Sequence, residues 1–195
     1  NPAERTAVYD SMNATLAQLH SFDPAEIGLS DFGRGDGYVA RQVERWSKQY
    51  RAPETERIDN MDKLIEWLPH NVPPQQAVRI VHGDYRLDNT IVAHDAPDII
   101  AVLDWELSTL GDLKALGRPS LCDYGDLYVA RTGLDPRPHL PAYLAYNFFR
   151  IAAILQGIIG RVRDGTATSE NAPAKAQMIR PLASKAWEFA QAAGA

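Results

Sequence analysis

Apolar positions along the chain fall first into helical spacing, then into short alternating runs, then into helical spacing again. From Pro2 to His20 the residues Val8, Met12, Leu16 and Leu19 recur at near-helical intervals behind Asn1, a good N-cap type, and Pro2, which suits a first turn. This predicts an opening amphipathic helix. The next stretch, SFDPAEIGLSDFGRGDG, carries proline and clustered glycines and predicts a long loop, after which YVARQVERWSKQY returns to helical spacing through Val39, Val43 and Trp46. Met61, Leu64, Ile65 and Leu68 predict a third, short helix closed by Pro69 and the NVPP turn.

Between Ala77 and Leu103 the pattern changes. AVRIV, NTIVA and DIIAVLDW are short β-branched runs separated by turn residues such as HDAPD, and they predict short strands. From about Pro119 helical spacing returns. It is clearest in LPAYLAYNFFRIAAILQGIIGRV, which is apolar on most faces and predicts a buried central helix; the polar loop RDGTATSENAP then leads into a last helix. No internal repeat interrupts this order. The expectation is a single α+β lobe spanning 1–195, mostly helical, with a small central β region.

Composition narrows the function. With 195 residues, 45% hydrophobic and 23% charged, the chain can bury an ordinary core. A formal charge of -5 argues against a dedicated nucleic-acid or anionic-membrane binder and fits a cationic partner or bound metal better. Cys122 is the lone cysteine, which excludes an internal disulfide or cysteine-based zinc cluster and is expected in the core. No apolar run approaches the roughly 18 residues of a membrane span, and NPAERTAVYDS shows no leader pattern, so the expected location is the cytoplasm.

The candidate chemistry lies in the β region. Asp84 follows RIVHG and Asp104 follows IIAVL, so both acids sit in loops at strand ends, where strands fix the positions of polar groups. Asn89 is five residues beyond Asp84, close enough for one tight loop to aim both side chains at a common point. A carboxylate and an amide oxygen, joined by a second carboxylate from the next strand, suit a hard divalent cation such as Mg²⁺, with phosphate as a further ligand.

The segment HGDYRLDN followed by VLDWE resembles the catalytic and metal-binding loops of the aminoglycoside phosphotransferase family, which shares the protein-kinase-like fold. The spacing H-x-D-x-x-x-x-N matches the kinase catalytic loop. LAQLHSFDPAEIGLSDFG, RQVERWSKQY and WELSTLGD resemble the subgroup associated with acyl-CoA dehydrogenases, as the C-terminal lobe of that fold. The resemblance implies a small-molecule phosphotransferase that moves the γ-phosphoryl of ATP or GTP to a hydroxyl-bearing substrate with Mg²⁺. Asp84 would then be the catalytic base and Arg86 a cation near the transferred group. Asn89 and Asp104 would hold the Mg²⁺ that bridges the nucleotide phosphates, with Glu106 adding a direct or supporting contact. His82 belongs to the same catalytic loop, with loop organisation as its expected role rather than proton transfer. An acyl-CoA dehydrogenase domain or neighbour is the implied protein partner.

Departures from the family pattern are also visible. The N-terminal nucleotide-binding lobe, with its phosphate-covering loop and strand lysine, is expected to be absent from this chain. GRGDGY ends in Tyr38 where a final glycine would stand and is expected to be a plain loop, and Lys48, Lys63, Lys114, Lys175 and Lys185 lie outside strands. After Asp112 the chain runs straight into LKALGRPS, without the helix usual in the family. Two other classes therefore stand beside the phosphotransferase. One is a catalytically silent kinase-like module that binds a ligand or partner. The other is a metal-dependent hydrolase with His82, Asp84, Asp88 and Asp104 as ligands. Alone, Trp105 reads as packing, Asp88 as a turn residue, and Arg86 as a surface partner of Asp88 or Glu106.

Overall fold

In a computed structural model of the chain, residues 1–54, 56–75, 77–112, 122–135, 137–168 and 171–195 are described, without the side chains of 112 and 122–124. Asn1 starts the first helix as its residue type predicts. Its Oδ1 accepts from the Glu4 amide at 3.0 Å and Pro2 occupies the first turn of α1 (Pro2–Ser21). The buried face of α1 differs from the apolar stripe read in the sequence: Met12, Asn13, Ala17 and His20 are buried. The reason lies in α4 (Cys122–Thr132), which packs on α1 and offers polar partners. Arg131 donates to Asn13 Oδ1 at 2.8 Å and to both Asp10 oxygens at 2.9 and 3.0 Å. His20 Nδ1 shares a 2.8 Å hydrogen bond with the Tyr128 hydroxyl. Two polar side chains seven residues apart are thus buried because each is satisfied.

The β region forms two antiparallel ribbons. β1 (Val78–Val81) pairs with β4 (Thr109–Asp112) in a register running from Val78↔Asp112 to Val81↔Thr109. β2 (Thr90–Val92) pairs with β3 (Ile99–Val102), with Thr90 opposite Val102 and a local irregularity between Ile91 and Val92. Strands β1 to β3 fall inside the predicted runs. β4 does not: TLGD has little strand character of its own and is extended because β1 supplies its hydrogen-bond partners. Gly33–Gly37 of the GRGDGY segment form a loop, as expected, while Tyr38 already opens a helix; Gly35 leaves no room for a Cβ against Val78. Helix α1, the four strands and α4 belong to one compact unit, Asn1–Tyr38 with Gln75–Pro138.

The second compact unit is Val39–Pro74 with His139–Ala195. It holds α2 (Tyr38–Arg51, all but its first residue), α3 (Asp59–Trp67, continued by a tight turn at Leu68–His70), α5 (Leu140–Arg163) and α6 (Ala172–Ala192). Helices α5 and α6 approach through small residues: Ala145, Ala152 and Ala153 on one, Ala183, Ala186 and Ala190 on the other, all fully buried. Phe148 and Phe189 stack between them at 5.5 Å. The helix running Arg137–Arg163 is long and apolar enough to cross a membrane by length and composition, which corrects the expectation that no run approaches a span. More than half of its most apolar window, 56%, is buried within the protein. Lys48, Lys63, Lys175 and Lys185 lie on helices. Lys114, the LKALGRPS segment and the Cys122 side chain, expected in the core, lie outside the described residues.

Burial of His20, with the Arg79 charge as a smaller cause, lowers its pKa from 6.5 to about 4. The folded chain therefore refuses a proton that the unfolded chain takes up below pH 6.5. Stability from this group is complete above pH 6.5 and is lost as pH falls toward 4, by up to about 3 kcal/mol. Urea unfolding at pH 7.5 and 4.5 checks this. His20→Gln should lose about 2 to 3 kcal/mol less than wild type between the two pH values.

Candidate active site

Strand β1 delivers the loop His82–Asn89, and its first residue sets the geometry. His82 is 2% exposed. Its Nε2 lies 2.8 Å from the Leu103 carbonyl oxygen, and its Nδ1 accepts from the Asp84 amide at 3.3 Å. Only the neutral ring with its proton on Nε2 satisfies both bonds. Both ring nitrogens thus bond backbone groups, one in the His82 loop itself and one at Leu103. Gly83 follows at φ +85°, and a Cβ there would run into the Leu107 carbonyl oxygen. Only glycine takes both the left-handed backbone and the close approach.

Asp84 is half-buried. One carboxylate oxygen, Oδ2, accepts from Asn89 Nδ2 at 3.1 Å and lies 3.3 Å from Arg86 Nε. The other oxygen, Oδ1, has no partner among the described residues, so one lone-pair-bearing atom of an oriented carboxylate is available. Arg86 thus pairs with Asp84 more closely than with Asp88, which stands at 3.9 Å. Asn89 is buried, in the tight turn Leu87–Asn89. Its amide nitrogen donates to the Asp84 carbonyl at 2.9 Å as well as to the carboxylate. Spending the NH₂ group on Asp84 turns the amide oxygen away from it.

The second half of the site comes from the end of β3. The Leu103 amide donates to the Asn89 carbonyl at 2.9 Å while the Leu103 carbonyl accepts from His82. One residue is therefore held through both of its backbone polar groups by the Asp84 loop. Asp104 follows in the left-handed region, φ 62° and ψ 61°, among the described residues the one non-glycine at positive φ. That conformation costs an L-residue roughly 1 to 2 kcal/mol. The Asp104 side chain is exposed, and it makes no hydrogen bond or ion pair among the described residues. The tight turn Trp105–Leu107 follows. Trp105 packs its ring on His82 at 4.8 Å and donates to the Val102 carbonyl at 2.9 Å, in keeping with packing. Glu106 is exposed in the same turn and makes no hydrogen bond or ion pair among the described residues.

Asn89 carries an amide oxygen whose nitrogen is already engaged, and Asp104 a carboxylate one residue from Asn89's hydrogen-bond partner, both oxygen donors of the kind hard cations take. The hydrolase arrangement does not form. Among the described residues no three His, Cys, Asp or Glu side chains converge to hold a metal, and His82 has spent both nitrogens on backbone groups. Periodicity missed three contributors: Gly83, the Leu103 peptide, and Tyr85, whose hydroxyl donates to the Met12 carbonyl of α1 at 2.9 Å. A glycine between histidine and aspartate after a strand was the readable signal for the first; the other two depend on contacts distant in sequence.

The family model described as phosphotransferase enzyme family matches residues 1–115. A solved structure from Ralstonia eutropha, assigned as an aminoglycoside phosphotransferase, superposes with a TM-score of 0.87 at 43% identity, over 98% of this chain and 67% of that one. Acyl-CoA dehydrogenase family member 10 of Mus musculus is 38% identical over 99% of this chain, and family member 11 of Gallus gallus is 37% identical over 97%. The chain spans only 21% and 28% of those two relatives.

Gly28 and Gly83 both have positive φ, yet a Cβ at Gly28 would meet nothing within 4 Å. Gly28→Ala should therefore cost about 1 kcal/mol of unfolding free energy from backbone strain alone. Gly83→Ala should cost at least about 1 kcal/mol more, because the Leu107 carbonyl must also move. Denaturant titration of the two variants measures the difference. Equal losses would mean that the Gly83 approach carries no energy.

Proposed function

The chain belongs to the phosphotransferase enzyme family, and on that premise we propose that it carries the acceptor-activating and metal-holding part of a kinase-like reaction. In this reading the γ-phosphoryl of ATP or GTP passes to the hydroxyl of a small molecule, with Mg²⁺ as cofactor. The observation that supports it most is the joint hold on two acids. Asp84 is oriented by Asn89 and Arg86, while Asn89 and His82 hold the backbone N–H and C=O of Leu103, the residue that precedes Asp104.

Asp84 is the base. Its Oδ1 accepts the proton of the acceptor hydroxyl as the acceptor oxygen bonds to the γ-phosphorus, and the bond from that phosphorus to the β,γ-bridging oxygen breaks, releasing the nucleoside diphosphate. Arg86 places its charge beside the carboxylate and keeps Oδ2 occupied, so that Oδ1 faces the acceptor. Asn89 Oδ1 and the Asp104 carboxylate would hold the cation, with Glu106 in the turn that follows as a supporting acid. When bound, Mg²⁺ neutralises charge on the nucleotide phosphate oxygens. His82 keeps the two loops at one spacing. The partner we propose is an acyl-CoA dehydrogenase module, because the relatives that share this region bear that name and are several times longer.

The test uses the natural full-length protein. Asp84→Asn keeps the shape and the Asn89 contact but removes basicity, so turnover should fall roughly 10²- to 10⁴-fold with nucleotide affinity nearly unchanged. Asp104→Asn should weaken both turnover and apparent nucleotide affinity, with partial recovery at raised Mg²⁺. Calorimetry with Mg·ATP and ADP release against a panel of hydroxyl-bearing compounds read the two quantities. Loss of nucleotide binding in Asp84→Asn, with Asp104→Asn unaffected, would falsify the assignment. Nucleotide binding without turnover of any acceptor would move the protein to the silent-module class.

A further inference from the structure

Four consecutive residues of α1, Asp10-Ser11-Met12-Asn13, reach three other segments of the same unit. Ser11 Oγ accepts from the Ile99 amide at 2.8 Å, at the start of the strand that leads to Asp104. The Met12 carbonyl accepts from the Tyr85 hydroxyl at 2.9 Å, one residue beyond Asp84. Asp10 and Asn13, one helical turn apart, share the guanidinium of Arg131 from α4. We infer that this turn of α1 is the anchor that keeps the Asp84 loop and the Asp104 loop in register, with Tyr85 and Arg131 as positioning residues. The inference rests on the roles proposed above for those two acids.

A helix turn is stiff, with a rise of about 1.5 Å per residue, so groups on adjacent residues move as one body. Two routes then run from that body to Asp104. Through Ser11 the helix holds Ile99 and hence β3. Through Met12 it holds Tyr85, whose ring edge meets His82 at 5.9 Å, and His82 bonds the Leu103 carbonyl. Both routes end at the peptide before the strained Asp104, which over-determines its place. The rotation of α1 is set by Arg131. Its bidentate, charge-assisted hold on Asp10 and its bond to Asn13, which is 0% exposed, fix the face that α1 turns to the ribbons. Arg131 touches neither acid and acts only through the helix.

Tyr85→Phe deletes one hydroxyl and keeps the ring on His82; Arg131→Gln removes the charge, and Arg131→Lys restores it without the fork. Hydrogen exchange of the full-length protein, followed in peptides covering 82–92 and 99–107, reads the positions of both loops without any turnover. In Tyr85→Phe and Arg131→Gln exchange should rise about fivefold to tenfold in both peptides, the equivalent of one lost hydrogen bond, with 140–163 and 172–192 unchanged. ADP release from Mg·ATP should fall about tenfold in kcat with KM for the nucleotide within about twofold, and Arg131→Lys should recover part of the loss. Wild-type exchange in both peptides overturns the anchor, as does equal acceleration throughout the protein. Should Arg131→Gln not fold, Tyr85→Phe and Ser11→Ala decide the question on the same peptides. Unaltered turnover in Asp84→Asn would remove the proposed function and leave the exchange result standing, so the two failures are distinguishable.

Discussion

The backbone of Leu103 is the constraint on which the site depends. Its N–H is held by the Asn89 carbonyl and its C=O by the His82 ring, so two loops separated by a whole β-ribbon meet at one residue. Each bond alone is worth about 1 kcal/mol net, but the His82 end is buried, where an unpaired group would cost more than the bond contributes. That asymmetry explains why both ring nitrogens of His82 are engaged. The two bonds also fix the residue before Asp104, and Asp104 itself adopts the left-handed backbone at φ 62°.

The same economy of satisfied polar groups recurs away from the site. Helix α1 buries Asn13 and His20 where its apolar stripe would suggest leucines, because α4 brings Arg131 and Tyr128 to meet them. A purely apolar contact would hold α1 and α4 together without choosing one rotation of the helix. Directional bonds choose it, and the loops that take their position from α1 inherit the choice. The price is pH sensitivity, since a buried neutral histidine favours unfolding once acid can charge it.

The helical unit works on different physics. Helices α5 and α6 meet through alanines, which lets their backbones approach closely and makes the interface depend on dispersion and area rather than on polar partners. Pro181 sits inside α6 and removes one backbone hydrogen bond, a loss that packing of the surrounding turns offsets. Gln156 ties α5 to the Pro53 carbonyl at 3.0 Å, where Gly160 leaves no space for a side chain against Pro53.

Periodicity alone placed α1, α2, α3, α5, α6 and three of the four strands, because apolar spacing and turn residues are local signals read within a single segment. The loop spacing around Asp84 and Asn89, and the position of Asp104 after a β-branched run, were legible for the same reason: the chemistry is written in residue types a few positions apart. Tertiary structure decided the rest. β4 is a strand because β1 pairs with it, and the true buried face of α1 is chosen by side chains more than 100 residues away. The grip on Leu103, the tie of Tyr85 to Met12 and the demand for glycine at position 83 all arise from backbone carbonyls. Every residue carries that group, so its partners leave no mark in the sequence and exist only once the chain has folded.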